Sequence, residues 1–221
     1  KTYELIKDMT NRYSDFQMPE IIEKQKQVEK PFTFRYVDLE IQGNMARITF
    51  NRPEAMNALN EVTVDQLEEA FTQAENDPNV ACIVFQGAGK AFVAGADIRF
   101  FIQNIESGRI DRNVEFTKKG HDLLLRIENS AKRTVAVLDG LSLGGGSEFA
   151  LACQAIVATP AGSMGFPETA IGIYPGLGGM IRSARQIGTE LAKYYVFTGK
   201  TLSAQDAFDL GLVTKLVDPQ E

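Results

Sequence analysis

The chain has 221 residues, 44% apolar and 24% charged, with a formal net charge of −6. That balance suits one globular domain, or one domain with an appendage, and argues against a general nucleic-acid binder. No apolar run reaches the ~18–20 residues that span a bilayer, and the opening KTYELIKDMTNRYSD lacks a signal-peptide core, so a cytoplasmic location is expected.

Residues 1–30 carry many charges and few aliphatics. Leu5, Met9 and Tyr13 keep an i, i+4 spacing that predicts a short helix, in a stretch too small to fold alone. It reads as a linker or as the end of another domain. From Phe32 the pattern alternates through Phe34 and Tyr36 to Ile41 as a strand. Gly43 and Asn44 form a turn, 46–50 returns as a second strand, and Asn51-Arg52-Pro53 ends it. Asn60 caps a helix to about Asn76 with Leu67, Ala70, Phe71 and Ala74 inward. Residues 80–85 form a continuous apolar strand, as expected when both faces are covered, and Gly87-Ala88-Gly89 breaks it. Helices are expected at 98–107 and 112–130, the second with Phe116, Leu123, Leu124 and Ile127 inward. A strand at 135–138 leads to three glycines and a helix at 147–153. A strand at 155–158, helices at 179–187 and 189–197, a capping box at Ser203–Asp206 with Gly211 as the stop, and a strand at 212–217 follow. Alternation of short strands and helices makes the class α/β. Three units of two strands and a helix can be drawn, without a strict sequence repeat to prove them.

The chemistry concentrates between Asp139 and Gly176. Gly144, Gly145 and Gly146 sit between an apolar strand and a helix, where backbone N–H groups lack intrahelical partners and the helix dipole favours negative charge. A tight, close-packed turn explains three glycines equally well. Glu148 follows within the first helical turn, and Glu168 comes twenty residues later, behind Gly165 and Pro167. A glutamate at either place commonly does no more than complement a helix N-terminus. Paired with an anion-stabilising loop, however, two carboxylates in one dry pocket cannot both ionise easily, which supplies an acid and a base together. A third stretch, KAFVAGADIR at 90–99, offers another backbone N–H, with Asp97 ordering the turn. Alone it reads as a plain capped turn. The glycines fit neither a phosphate loop nor a dinucleotide fingerprint, and no serine elbow is present. His121, the single histidine, is expected at the surface or its boundary. Cys82 and Cys153 read as buried thiols, and a zinc site is not expected.

Taken together, four stretches resemble the crotonase (enoyl-CoA hydratase/isomerase) superfamily, and within it the enoyl-CoA hydratases: NRPEAMNAL at 51–59, AFVAGADI at 91–98, DGLSLGGGSE at 139–148 and PETAIGIYPGLGG at 167–179. Thr198-Gly199, residues 204–212 and 217–219 also fit. The resemblance implies a ClpP-like spiral of β-β-α units that binds acyl-CoA thioesters. It assigns the backbone N–H groups of Ala96 and Gly145 to the thioester oxygen, and Glu148 and Glu168 to acid–base work on water. Ala94, Asp97, Ile98, Arg99 and Gly176 fall to substrate and coenzyme A contacts. No metal or redox cofactor is implied beyond the coenzyme A carried by the substrate.

Some positions depart from the family pattern. Arg99 stands where Lys is frequent, Glu54 where a Lys often follows Asn-Arg-Pro, Phe166 where some hydratases are polar, and Gln154 where Asp is common. Residues 1–31 resemble the tail of a 3-hydroxyacyl-CoA dehydrogenase domain, ahead of a hydratase domain at 32–221. That implies a fused dehydrogenase–hydratase of fatty-acid β-oxidation. The family usually continues past Pro219 with helices that cover the site and build a trimer or hexamer. A C-terminal helical segment is therefore expected to be missing, leaving an impaired fragment. Two alternatives stand beside the hydratase: a Δ3,Δ2-enoyl-CoA isomerase, which generally keeps the second carboxylate alone, and a non-catalytic structural or RNA-binding module of the same fold.

Overall fold

The computed structural model describes residues 35–218. The helix expected around Leu5 to Tyr13, the dehydrogenase-like tail at 1–31, the strand start at Phe32 and Phe34, and Pro219 lie outside the described residues. Two sheets form the frame. Among the described residues the larger has six strands and the smaller four.

β1 (Val37–Gln42) and β2 (Met45–Phe50) make an antiparallel hairpin about Gly43, whose φ of +62° suits the turn. Alternation along β2 puts Ala46, Ile48 and Phe50 in the core. Helix α1 (Glu61–Asn76) starts where expected: the Asn60 side chain accepts from the Thr63 N–H at 2.9 Å, and Leu67, Ala70, Phe71 and Ala74 are buried.

β3 (Cys82–Gly87) corrects the sequence in two ways. It lies two residues later than the expected 80–85, and its burial alternates, with Ile83 and Phe85 inward and the residues between half-covered. The parallel pairing of β2 with β3, from Met45↔Cys82 onward, sets that register. β4 (Ala91–Ala94) then turns into the smaller sheet, followed by α2 (Ile98–Glu106) and α3 (Ile110–Glu128).

The same step recurs. β5 (Arg133–Leu138) joins the large sheet, β6 (Leu141–Leu143) the small one, and α4 (Gly145–Ala152) follows. Next, β7 (Ala155–Ala158) and β8 (Ser163–Gly165) divide likewise, ahead of α5 (Gly179–Ile187) and α6 (Thr189–Thr198). Each turn of the chain thus adds one parallel strand to each sheet, which is the β-β-α spiral. β4, β6 and β8 escape the sequence pattern because each has only three or four residues, too few for a period to show.

β9 (Leu202–Ser203) leads into α7 (Ala204–Asp209), whose Ser203–Asp206 capping box is present in both directions. The last strand is shorter than expected. β10 is Lys215–Leu216 alone, because Leu212 and Val213 turn inward as a buried loop, both N–H groups donating to the Ala207 carbonyl.

Candidate active site

The strand pairs carry the candidate residues to one place. Register Ala94↔Leu143 between β4 and β6, and Leu143↔Gly165 between β6 and β8, lines up the ends of three consecutive strands. The chain leaving each end carries one part of the site: Gly95 to Asp97 after β4, the three glycines and Glu148 after β6, and Pro167 and Glu168 after β8.

The loop after β4 is held from below. Leu59 makes an isolated parallel bridge with Ala96: its N–H donates to the Gly95 carbonyl at 2.9 Å, and its own carbonyl accepts from the Asp97 N–H at 2.8 Å. Asp97 caps α2, accepting from the Arg99 N–H at 3.2 Å, and pairs at 2.9 Å with Arg52, which is buried. Asp97 is thus an anchor of the loop. Among the described residues, the Ala96 N–H enters none of these bonds and stays available.

The glycine run begins helix α4 at Gly145, so that the Gly145 N–H has no intrahelical partner. A Cβ on Gly145 would lie 3.9 Å from the Ala96 nitrogen, so the two residues are close neighbours. Two of the glycines are sterically required. Gly144 has φ +51°, and a Cβ there would come within 2.7 Å of Glu168 Oε1. A Cβ on Gly146 would sit 2.0 Å from the Val93 carbonyl oxygen, where helix α4 crosses β4. Phe149 then anchors the helix by edge-to-face contacts with Phe50 and Phe85, at 5.3 and 4.9 Å between ring centres. The Ser147 hydroxyl donates to the Ser142 carbonyl at 2.6 Å and accepts from the Gly165 N–H at 3.0 Å, tying the glycine run to the strand before Glu168.

Glu148 is 1% exposed. Its Oε1 accepts from the Leu177 N–H at 2.7 Å and the Gly179 N–H at 2.8 Å. Burial raises its pKa, while those two N–H groups and the Arg182 guanidinium pull against the rise. Glu168 lies in the 3-10 turn Pro167–Ile171. Burial pushes its pKa up to about 7, its own backbone N–H opposes, and the Glu148 charge adds to the rise. Its Oε2 is buried with no hydrogen-bond partner. The two carboxyls therefore share one electrostatic environment with different support. Glu148 has donors that favour the anion. Glu168 has a negative neighbour and an unpartnered oxygen that favour the acid.

The remaining expected residues flank this centre. Ala94 ends β4, its N–H donating to the Met56 carbonyl at 3.0 Å. Ile98 and Arg99 open α2 half-buried, and Arg99 has no ion-pair partner among the described residues. Gly176 begins the turn that grips Glu148, but the gripping donors are Leu177 and Gly179. A run of glycines in the sequence marks the turn without telling which N–H groups point inward. The sequence also gave no sign of Arg182, which is buried and bonds the Leu177 carbonyl at 2.7 Å. His121 approaches the same turn, its Cε1 3.6 Å from where a Gly178 Cβ would be. Phe166 is buried, and Gln154 serves the fold through the Ser130 carbonyl at 2.9 Å. Among the described residues, no helix is long and apolar enough to cross a membrane.

A profile of the enoyl-CoA hydratase/isomerase family matches residues 40–221. The chain is 39% identical over 187 residues to a short-chain-enoyl-CoA hydratase of Clostridium acetobutylicum, covering 84% of this chain and 70% of that one. It is 38% identical over 189 residues to a crotonyl-CoA hydratase of Syntrophomonas wolfei, covering 85% and 71%. The crystal structure of an enoyl-CoA hydratase from Thermoplasma volcanium matches with a TM-score of 0.78 at 36% identity, over 84% of this chain and 73% of that one.

Proposed function

Because the chain belongs to the enoyl-CoA hydratase/isomerase family, we propose that it adds water across the double bond of a trans-2-enoyl-CoA to give a 3-hydroxyacyl-CoA. One observation carries the proposal. Glu148 has one oxygen pinned by two N–H groups, and its charge adds to the burial that raises a second carboxyl, Glu168, to about 7.

The proposed chemistry follows from that asymmetry. The thioester oxygen lies against the N–H groups of Ala96 and Gly145. Glu148, through Oε2, takes a proton from water as the water oxygen bonds to Cβ. The double-bond electrons move onto the thioester oxygen as an enolate, where two fixed donors stabilise it by ~3 kcal/mol each. Glu168 then gives its proton to Cα, and the enolate electrons form the new C–H bond. Water has been added in full, and one proton passes from Glu148 back to Glu168 through solvent to reset the pair. No metal or redox cofactor enters this scheme. Arg99, half-buried at the start of α2, is the cation proposed for a coenzyme A phosphate, and Ala94, Asp97, Ile98 and Gly176 are proposed for further substrate and coenzyme A contacts.

The wider setting is part of the proposal. The likeness of residues 1–31 to the tail of a 3-hydroxyacyl-CoA dehydrogenase supports a bifunctional dehydrogenase–hydratase of fatty-acid β-oxidation, assembled as a trimer or hexamer and working in the cytoplasm. The test is hydration of crotonyl-CoA by the full-length protein, followed as loss of enoyl absorbance, with NAD added to detect the coupled oxidation. No hydration, together with rapid conversion of a 3-enoyl-CoA to the 2-enoyl isomer, would replace the hydratase with the isomerase. Inertness toward both would leave a structural module.

A further inference from the structure

Arg182 is among the few charged side chains buried in the described residues, at 5% exposure. It spends its donors on two partners. Nε and Nη2 donate to Glu128 Oε2 at 2.9 and 2.7 Å, and Nη1 donates to the Leu177 carbonyl at 2.7 Å. Leu177 is the residue whose own N–H binds Glu148 Oε1. The guanidinium therefore holds the carbonyl of the residue whose N–H holds the glutamate, one peptide group further along the turn. Its base is α5, which starts at Gly179, the second donor to Glu148. Glu128, at the end of α3, orients the fork, and Arg185 approaches its other oxygen at 3.6 Å.

With Arg182 buried and Glu128 half-buried, this ion pair is a poor device for stability alone, because desolvating the guanidinium offsets much of the attraction. A pair that also bonds a loop carbonyl beside a buried carboxylate has a second use. We propose that Arg182 is a positioning residue for Glu148: it locks the 177–179 turn so that both N–H groups stay on Oε1, leaving Oε2 as the oxygen that handles water. The proposal rests on the hydratase reading above for its chemical purpose, though its geometry stands apart from it. Arg182 also supplies positive potential, opposing the rise that burial imposes on Glu148. The other titratable groups facing this region are Glu168 from the turn after β8, Glu128 and His121 from α3, Arg185 from α5, and the buried Cys153 thiol at the end of α4, which feels the Arg182 charge.

Three variants test this in the full-length protein: Arg182→Met, Arg182→Lys and Glu128→Gln. The readouts are kcat and KM for crotonyl-CoA across pH, and the titration of carboxyl-labelled glutamate followed by carbon NMR without substrate. Arg182→Met is expected to lower kcat by about tenfold or more, short of the ~10²–10⁴-fold expected for losing the carboxylate itself, with KM little changed. The acid limb of kcat and the Glu148 carboxyl signal should both move up by about one pH unit. Arg182→Lys keeps the charge but cannot reach both partners, so its limb stays near wild type while kcat falls. Glu128→Gln removes the negative charge yet still accepts from Arg182, so the limb moves the opposite way, toward lower pH. Glu168, His121 and Cys153 keep their identity in all three variants. If Arg182→Met does not fold, the lysine and Glu128 variants carry the test. Loss of stability with unmoved limbs and an unmoved Glu148 titration would make Arg182 a plain structural residue and overturn the proposal. A wild-type protein that hydrates nothing would instead remove the hydratase reading, while the carboxyl titration would still report whether Arg182 holds Glu148.

Discussion

Glu168→Gln separates what Glu168 does for the reaction from what it costs the fold. Burial, reinforced by Glu148, raises this carboxyl from 4.5 to about 7, and its Oε2 finds no partner. Unfolding returns the group to its ordinary value. Between pH 4.5 and 7 the folded state therefore binds more protons than the unfolded state, and stability falls as pH rises through that window. The whole interval corresponds to about 3 kcal/mol. Glu168 keeps some contact with solvent, so about 1–3 kcal/mol is the working range. Glutamine has nearly the same shape and does not ionise. The variant is expected to lie closest to the wild type at pH 5 and to melt about 2–12 °C higher at pH 8. Over the same series its hydration of crotonyl-CoA should drop by ~10²–10⁴-fold, because the proton for Cα is gone. Calorimetric melting of both proteins at pH 5, 6, 7 and 8, beside the absorbance assay, reads both effects. A melting difference that is the same at pH 5 and pH 8 would refute the buried-acid argument whatever the activity does.

Glu148→Gln should lower turnover on the same ~10²–10⁴-fold scale while substrate affinity holds, because the Ala96 and Gly145 donors remain; a near wild-type rate would sink the hydratase proposal. Combined with Glu168→Gln, it should cost less than the product of the two losses, since groups acting as a unit are not additive; rates of the two single variants and the double variant decide this. Gly144→Ala puts a side chain at φ +51° and 2.7 Å from Glu168 Oε1. It should cost about 1–2 kcal/mol of stability and displace Glu168 with loss of turnover, visible as a folded but inactive protein in melting and rate measurements. Arg99→Ala should weaken acyl-CoA binding and flatten its salt dependence; calorimetry giving equal affinity at low and high salt would clear Arg99 of that role.

The sequence by itself determined the parts whose causes are local. Asn60 starts its helix because its side chain can reach the Thr63 N–H, three residues on. The Ser203–Asp206 box likewise closes within one turn. Inward faces of the long helices were legible because they repeat over several turns, as with Phe116 to Ile127. The glycine run and the two glutamates stood out for the same reason: they are conspicuous in an apolar setting. What only the tertiary structure decided depends on residues far apart in sequence. The short strands β4, β6 and β8 owe their existence to one another, since three or four residues are ordered by ladder partners and not by propensity. Their register carries Ala96 to Gly145 and Glu168 to Gly144. The different support of Glu148 and Glu168 arises from donors 29 and 31 residues from Glu148, at Leu177 and Gly179. The hold of Arg182 on Glu128 crosses 54 residues. A pattern along the chain records which residues prefer burial or a cap. It cannot record which peptide N–H faces which carboxylate, because that direction is fixed only when the sheets pair and the helices close over them.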